Sequence, residues 1–292
     1  MRANSIASLP EKQFPPEQQS WSARDTQLYA LGFGIGNKPC DEFQLSFLQG
    51  NQPRVLLTQA AVLAASSEWM HDSSNGIDGT KLVALSHKIT LDQGLPTNGL
   101  VQSPLRVTQV LDRGVGRGAV IHWHRELYAA NGERLATVEG RAIARGNGGF
   151  GGIAPSRQKE ETPLGAPAKT VVWPTHQGQA LLYSLSGDKN ALHIDPKEAR
   201  AAGCAKPILH GFCSLGVCAF AVESVATEMR ANTRIAGISG HYAGVAYPGE
   251  TLQVEVWKPK GTEMRFRCLI ADRGAPVIED GFAWLFTDNL SQ

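Results

Sequence analysis

The chain has little with which to hold a metal or a disulfide framework. Its five cysteines, Cys40, Cys204, Cys213, Cys218 and Cys268, form no CxxC pair and are odd in number, and its eight histidines are scattered. Such usage predicts a reducing compartment and free thiols. His122 and His124 would share one face of a strand, but no third ligand stands near them in sequence, so no metal site is expected. Charge of one sign is lacking too. Against 28 Lys and Arg stand 27 Asp and Glu, a formal +1, so bulk charge favours neither nucleic acid nor an anionic membrane. An anionic partner must be held by a few local groups. Apolar stretches such as "GFCSLGVCAFAV" fall short of the roughly 20 residues of a membrane span. The start, "MRANSIASLPEKQFPPEQQ", has no apolar signal core, and the final "NLSQ" is not a peroxisomal address. A cytoplasmic protein is expected.

What is present is a globular composition, 42% hydrophobic and 19% charged over 292 residues, enough for two ordinary cores. Residues 146–170, "GNGGFGGIAPSRQKEETPLGAPAKT", are rich in Gly, Pro and charge and read as a connection. The expected division is 1–150, a linker at 151–170, and 171–292. The halves resemble each other. "QLYALGFGIGNKP" at 27–39 lies over "LLYSLSGDKNALH" at 181–193, matching Tyr29 to Tyr183, and "NGERLATVEGRA" at 131–142 resembles "DRGAPVIEDGFA" at 272–283. In the second half "LHGFCSLGVCAFAVESVATEMR" is apolar almost all round over about six turns, which predicts an enclosed helix. "TLQVEVWK", "MRFRCLI" and "APVIEDGFAWLF" alternate like half-buried strands. The first half offers "VLLTQAAVLAASSEWM" as its helix, then "LRVTQVLD", "AVIHWHRELY" and "ERLATVEGRAIA". The pattern predicts an α+β fold: antiparallel strands wrapped around a buried helix, twice over.

The copies differ where chemistry is conceivable. Asp188 and His193 stand opposite Gly34 and Pro39 of the first copy. A structural pair would be expected in both. Asp188 could still be a turn cap and His193 a core residue. Seventeen residues on, the helix begins at "PILHGFCSLG". Its first N–H groups are unsatisfied and sit at the positive end of the helix dipole. Gly211 there would admit a ligand, although the same Gly could be only steric, and its amide could hold a developing oxyanion. An Asp and a His converging on one water beside such a donor would suit addition of water next to a carbonyl.

The run "YSLSGDKNALHIDPKEARAAGCAKPILHGFCSLG" resembles the signature of the MaoC-like, type 2 enoyl-CoA hydratases, Gly-Asp-x-Asn-Pro-Leu-His followed by Pro-Ile-x-His-Gly. "VLDRGVG", "GGFGG" and "VAYPGETLQVEVW" extend the likeness to the two-domain form in multifunctional enzyme type 2. The resemblance implies a double hotdog fold and hydration of trans-2-enoyl-CoA to (3R)-3-hydroxyacyl-CoA by syn addition of water. It implies Asp188 and His193 as the acid/base pair, Asn190 as polar support, the Gly211 amide at the thioester oxygen, Arg113 near the CoA phosphates and Tyr242 beside the substrate. It also implies a homodimer, no cofactor, and a first half given over to the acyl chain. Ala191 replaces the motif's proline, and Ala84 to His87, "ALSH", replaces the family's "HGEQ". A hotdog thioesterase and a non-catalytic acyl-CoA-binding subunit remain as alternatives.

Overall fold

A computed structural model describes residues 6–151, 165–230 and 233–286. Most of the expected linker, residues 152–164, lies outside the described residues. The first half contributes six strands: β1 (Glu17–Trp21), β2 (Leu82–Leu91), β3 (Gly99–Ser103), β4 (Leu105–Asp112), β5 (Ala119–Ala129) and β6 (Arg134–Ala144). The second contributes β7 (Lys169–Pro174), β8 (Ile235–Tyr242), β9 (Thr251–Val256), β10 (Glu263–Ile270) and β11 (Pro276–Leu285). All pairings are antiparallel, in the order β1-β3-β5-β6-β2-β8-β11-β10-β9-β7, with β4 also on β5. The order reads the same from either edge once β1, β3, β5, β6 and β2 are matched to β7, β9, β10, β11 and β8. The internal repeat of the sequence is thus a repeat of the fold, and β2 and β8 join the halves into one sheet through Ser86↔His241 to Thr90↔Gly237. Tyr29 and Tyr183, matched in sequence, are both buried, with rings 5.9 Å apart.

Alternation explains the strands. Met264, Phe266, Cys268 and Ile270 of β10 and Leu252, Val254 and Val256 of β9 turn inward and are buried. They pack around the central helix Gly211–Met229. Its length and apolar composition would suit a membrane span, but 72% of that apolar window is buried inside this fold. Glu223, on the same helix, is buried with Arg54 of the first half, whose Nε and Nη2 lie 2.9 and 2.8 Å from its Oε1. Burial alone raises the Glu223 pKa, and the arginine opposes the rise.

The first half departs from expectation. "VLLTQAAVLAASSEWM" is not a continuous helix but a 3-10 turn, Leu57–Ala61, followed by a break and a four-residue helix, Glu68–His71. Ala64 in the break has φ 46°, a left-handed conformation that ends helical winding. The cause lies on β5, where the inward positions of the alternation are Ile121, Trp123, Arg125 and Leu127. A guanidinium on the core side needs acceptors. Arg125 takes them from the broken segment: Nη1 donates to the carbonyls of Leu63 (2.6 Å) and Ala64 (3.1 Å), and Nη2 to those of Ala60 (3.1 Å) and Ala61 (2.9 Å). Desolvation lowers its pKa to about 10, which leaves it charged. One buried arginine stands where the repeat would have further helical turns.

Candidate active site

The loop between the short helix Gln179–Ser184 and the central helix carries the sequence motif. Gly187 opens it with φ 129°, and a Cβ there would lie 3.3 Å from the carbonyl oxygen of Val62, so glycine is required. Asp188 Oδ1 accepts from the Asn190 amide (3.2 Å), and Asn190 Oδ1 caps the 3-10 turn Ala191–His193 by accepting from Leu192 (3.1 Å). Asp188 does shape a turn, then, but half-exposed and with its carboxylate beside two imidazoles.

The tautomers of those imidazoles follow from their partners. His193 Nδ1 lies 2.9 Å from the carbonyl oxygen of Ile208. A carbonyl only accepts, so Nδ1 carries the proton. His193 is buried, and desolvation lowers its pKa against the opposing pull of Asp188 and of that hydrogen bond. In the neutral ring Nε2 is therefore a free base. His210, the residue before the central helix, stacks on His193 at 3.8 Å between centroids. Its Nε2 donates to the backbone oxygen of Asp188 (3.1 Å). Burial first, then the neighbouring His193, lowers its pKa to about 2. One donor atom from each of Asp188, His193 and His210 lies within 4.8 Å of the others. That spacing could also hold a cation, although two of the four ring nitrogens are committed to carbonyls.

Gly211 is the first residue of the central helix, so its N–H has no acceptor within the helix. A Cβ at Gly211 would lie 2.9 Å from Cζ of Tyr242, so this glycine admits a tyrosine ring as well as exposing an amide. Tyr242 Oη is in turn 2.9 Å from Nδ1 of His87, on β2 of the first half. His87 is buried, and desolvation lowers its pKa to about 3.

Asp188, Asn190, His193, Gly211 and Tyr242 thus gather around the start of the central helix. Arg113 is not among them. It lies exposed on the turn between β4 and β5, where the Asp112 carboxylate accepts from the amides of Gly114, Gly149 and Gly151 (2.8, 2.8 and 2.6 Å). That turn caps the sheet at the row Asp112, Ala119, Ala144 and Leu82. Leu82 is five residues along β2 from His87, about 16 Å at strand spacing. Two site groups escaped the sequence reading. His210 was visible only as the partner of Gly211 in "HG", and His87 only as the end of the unusual "ALSH".

Unfolded histidines protonate near pH 6.5. His87 and His210 stay neutral in the fold down to about 3 and about 2. Stability is therefore complete above pH 6.5 and is lost as pH falls below it, by up to about 1.4 kcal/mol per pH unit for each ring. His193 shifts in the same direction. Thermal unfolding followed from pH 7.5 to 4.5 should show a midpoint that drops once pH passes 6.5. A flat midpoint would contradict buried, neutral rings.

Comparison with known proteins agrees with the repeat. Residues 20–146 match the MFE-2 hydratase 2 N-terminal domain, and residues 158–271 match the MaoC like domain. Over 250 residues the chain is 38% identical to the enoyl-CoA hydratase ChsH3 of Mycobacterium tuberculosis, covering 84% of this chain and 86% of that protein. The chain belongs to the MaoC-like hydratase 2 family. Another member, the peroxisomal multifunctional enzyme type 2 of Drosophila melanogaster, is 30% identical over 90% of this chain, which spans 45% of the fly protein. The structure of that full-length fly protein superposes with a TM-score of 0.78, covering 93% of this chain and 48% of that one. A MaoC-like dehydratase from Phytophthora capsici, 22% identical, shares the fold at a TM-score of 0.79 and covers 97% of this chain and 99% of that one. Within this family the fold is a double hotdog, and the motif-bearing loop of this member lies in the second hotdog.

Proposed function

We propose that this MaoC-like protein hydrates trans-2-enoyl-CoA thioesters at the Asp188–His193 loop, giving (3R)-3-hydroxyacyl-CoA. The supporting observation is the fixed tautomer of His193: Nδ1–H is committed to Ile208, which leaves Nε2 an acceptor on a ring that has a nitrogen within 4.8 Å of an Asp188 carboxylate oxygen. A water held between the two groups is polarised for attack on C3. As its oxygen bonds to C3, the π pair moves toward the thioester, and charge collects on the carbonyl oxygen. The amide of Gly211, at the positive end of a 19-residue helix, would stabilise that charge. A proton from the same water then reaches C2 on the face the loop occupies. The hydroxyl and the new C–H bond together account for the water. Asn190 holds the loop, and Arg113, at the far end of the sheet, faces the phosphates of an extended CoA.

Crotonyl-CoA tests this reading. Loss of the enoyl absorbance without release of free thiol is expected. Thiol release would make the protein a thioesterase, with the same water directed at the carbonyl carbon, and neither signal would leave a binding subunit.

A further inference from the structure

His87 and Tyr242 come from different halves, one on β2 and the other at the end of β8. They meet beside the start of the central helix. The His87 ring lies against Phe212 (centroids 4.0 Å, 27° between planes) and edge-on to Trp123 (5.6 Å). Among the described residues, the imidazole and the Tyr242 hydroxyl are each other's only hydrogen-bond partner, at 2.9 Å. The hydroxyl oxygen also lies 3.2 Å from where a Cβ of Gly211 would be. It is therefore next to the amide assigned to the thioester oxygen.

A neutral imidazole carries one proton, and the pair can share it in two ways. With the proton on Nε2, Nδ1 accepts from the tyrosine, and the Nε2–H is left without a protein acceptor. With the proton on Nδ1, His87 donates to Oη, and the tyrosine's own proton turns away from His87. Of the two, only the second frees the tyrosine's proton for an acceptor other than His87. It also aims an O–H donor at the space beside Gly211.

We propose that Tyr242 is a second hydrogen-bond donor to the thioester oxygen, and that His87 is the positioning residue that turns its hydroxyl there. The oxyanion site is then built from both hotdogs: an amide and a phenol from the second, and the imidazole that orients the phenol from the first. This explains a polar, buried histidine among aromatic rings in the first half, which lacks the Asp–His pair. It rests on the hydratase reading for the identity of the oxygen being held.

Two readouts test it. The first is the carbonyl stretch of 13C-labelled butyryl-CoA, a saturated thioester that cannot be hydrated. Binding should lower the frequency, and Tyr242→Phe should return part of that shift. The second is turnover of crotonyl-CoA. Tyr242→Phe should lower kcat about 100-fold with little change in KM, as expected for a donor that acts on developing charge. His87→Leu should lower kcat about 10-fold alone but add nothing in the Tyr242→Phe background, since it acts through one hydrogen bond. His87→Asn, which keeps a donor near the Nδ1 position, should recover most of the loss seen with leucine. An unchanged kcat and carbonyl frequency in the isosteric Tyr242→Phe variant would overturn the proposal. So would a His87→Leu loss of equal size in both backgrounds, which marks a packing role. A Tyr242-dependent carbonyl shift without any hydration would sink the hydratase reading and leave this inference standing. Hydration with a carbonyl frequency indifferent to Tyr242 would do the reverse.

Discussion

Replacing Asp188 with Asn, or His193 with Ala, should lower crotonyl-CoA turnover by at least about 100-fold, the scale on which a positioned acid or base contributes. In Asp188→Asn the new side-chain carbonyl could still accept from the Asn190 amide, as Asp188 Oδ1 does at 3.2 Å, so the loop should keep its shape. What disappears is the negative charge beside the water. His193→Ala removes the free Nε2 and leaves a gap against His210, which stacks on it at 3.8 Å. Some stability should be lost with the gap, so unfolding midpoints belong beside the rates. If a folded variant of either kind turns over near the normal rate, that residue has no part in the chemistry.

Arg125→Met should be strongly destabilising, by about 3 kcal/mol, because it leaves buried acceptors without partners. Methionine keeps an apolar stem out to about the position of Nε, so the effect reports chiefly the loss of the guanidinium. Four carbonyls, those of Ala60, Ala61, Leu63 and Ala64, lose their donor together. The penalty is less than four separate losses, since the arginine's own desolvation cost disappears with it. Urea unfolding should show a lower midpoint with an unchanged slope. A midpoint within error of the parent would mean that the broken segment is held by packing alone. The same segment bears on the candidate site, because the Val62 carbonyl sits against Gly187 at the head of the Asp188–His193 loop. A slackened segment should therefore also reduce turnover.

Much of the second half was legible because its signals are local. The period-2 alternation of "MRFRCLI" and the all-apolar "GFCSLGVCAFAV" need no distant partner to be read, and both form the expected elements. The first-half helix failed because its fate is decided more than 60 residues later, by an arginine on the inward face of β5. The alternation Ile121, Trp123, Arg125, Leu127 carries that signal, but only once a charge at a core position is taken as a demand for acceptors. The strands β1, β2, β3, β7 and β8 are not among those the alternation predicts. β1 reads "EQQSW" and is largely exposed, so it has almost no apolar period to show. At the site, Asp188 and His193 stood out because the repeat offered a second copy lacking them, and Gly211 because it opens the apolar helix. His87 did not, since its role depends on a tyrosine 155 residues away.

Hydration in deuterated water reads the central claim most directly. Asp188 and His193 come from one short loop, so they can share a water only on one side of the double bond, and Gly211 fixes which side that is. The expected product is syn-deuterated (3R)-3-hydroxybutyryl-CoA. An anti product would contradict a single water shared by Asp188 and His193, and a (3S) alcohol would contradict the face assigned to the loop.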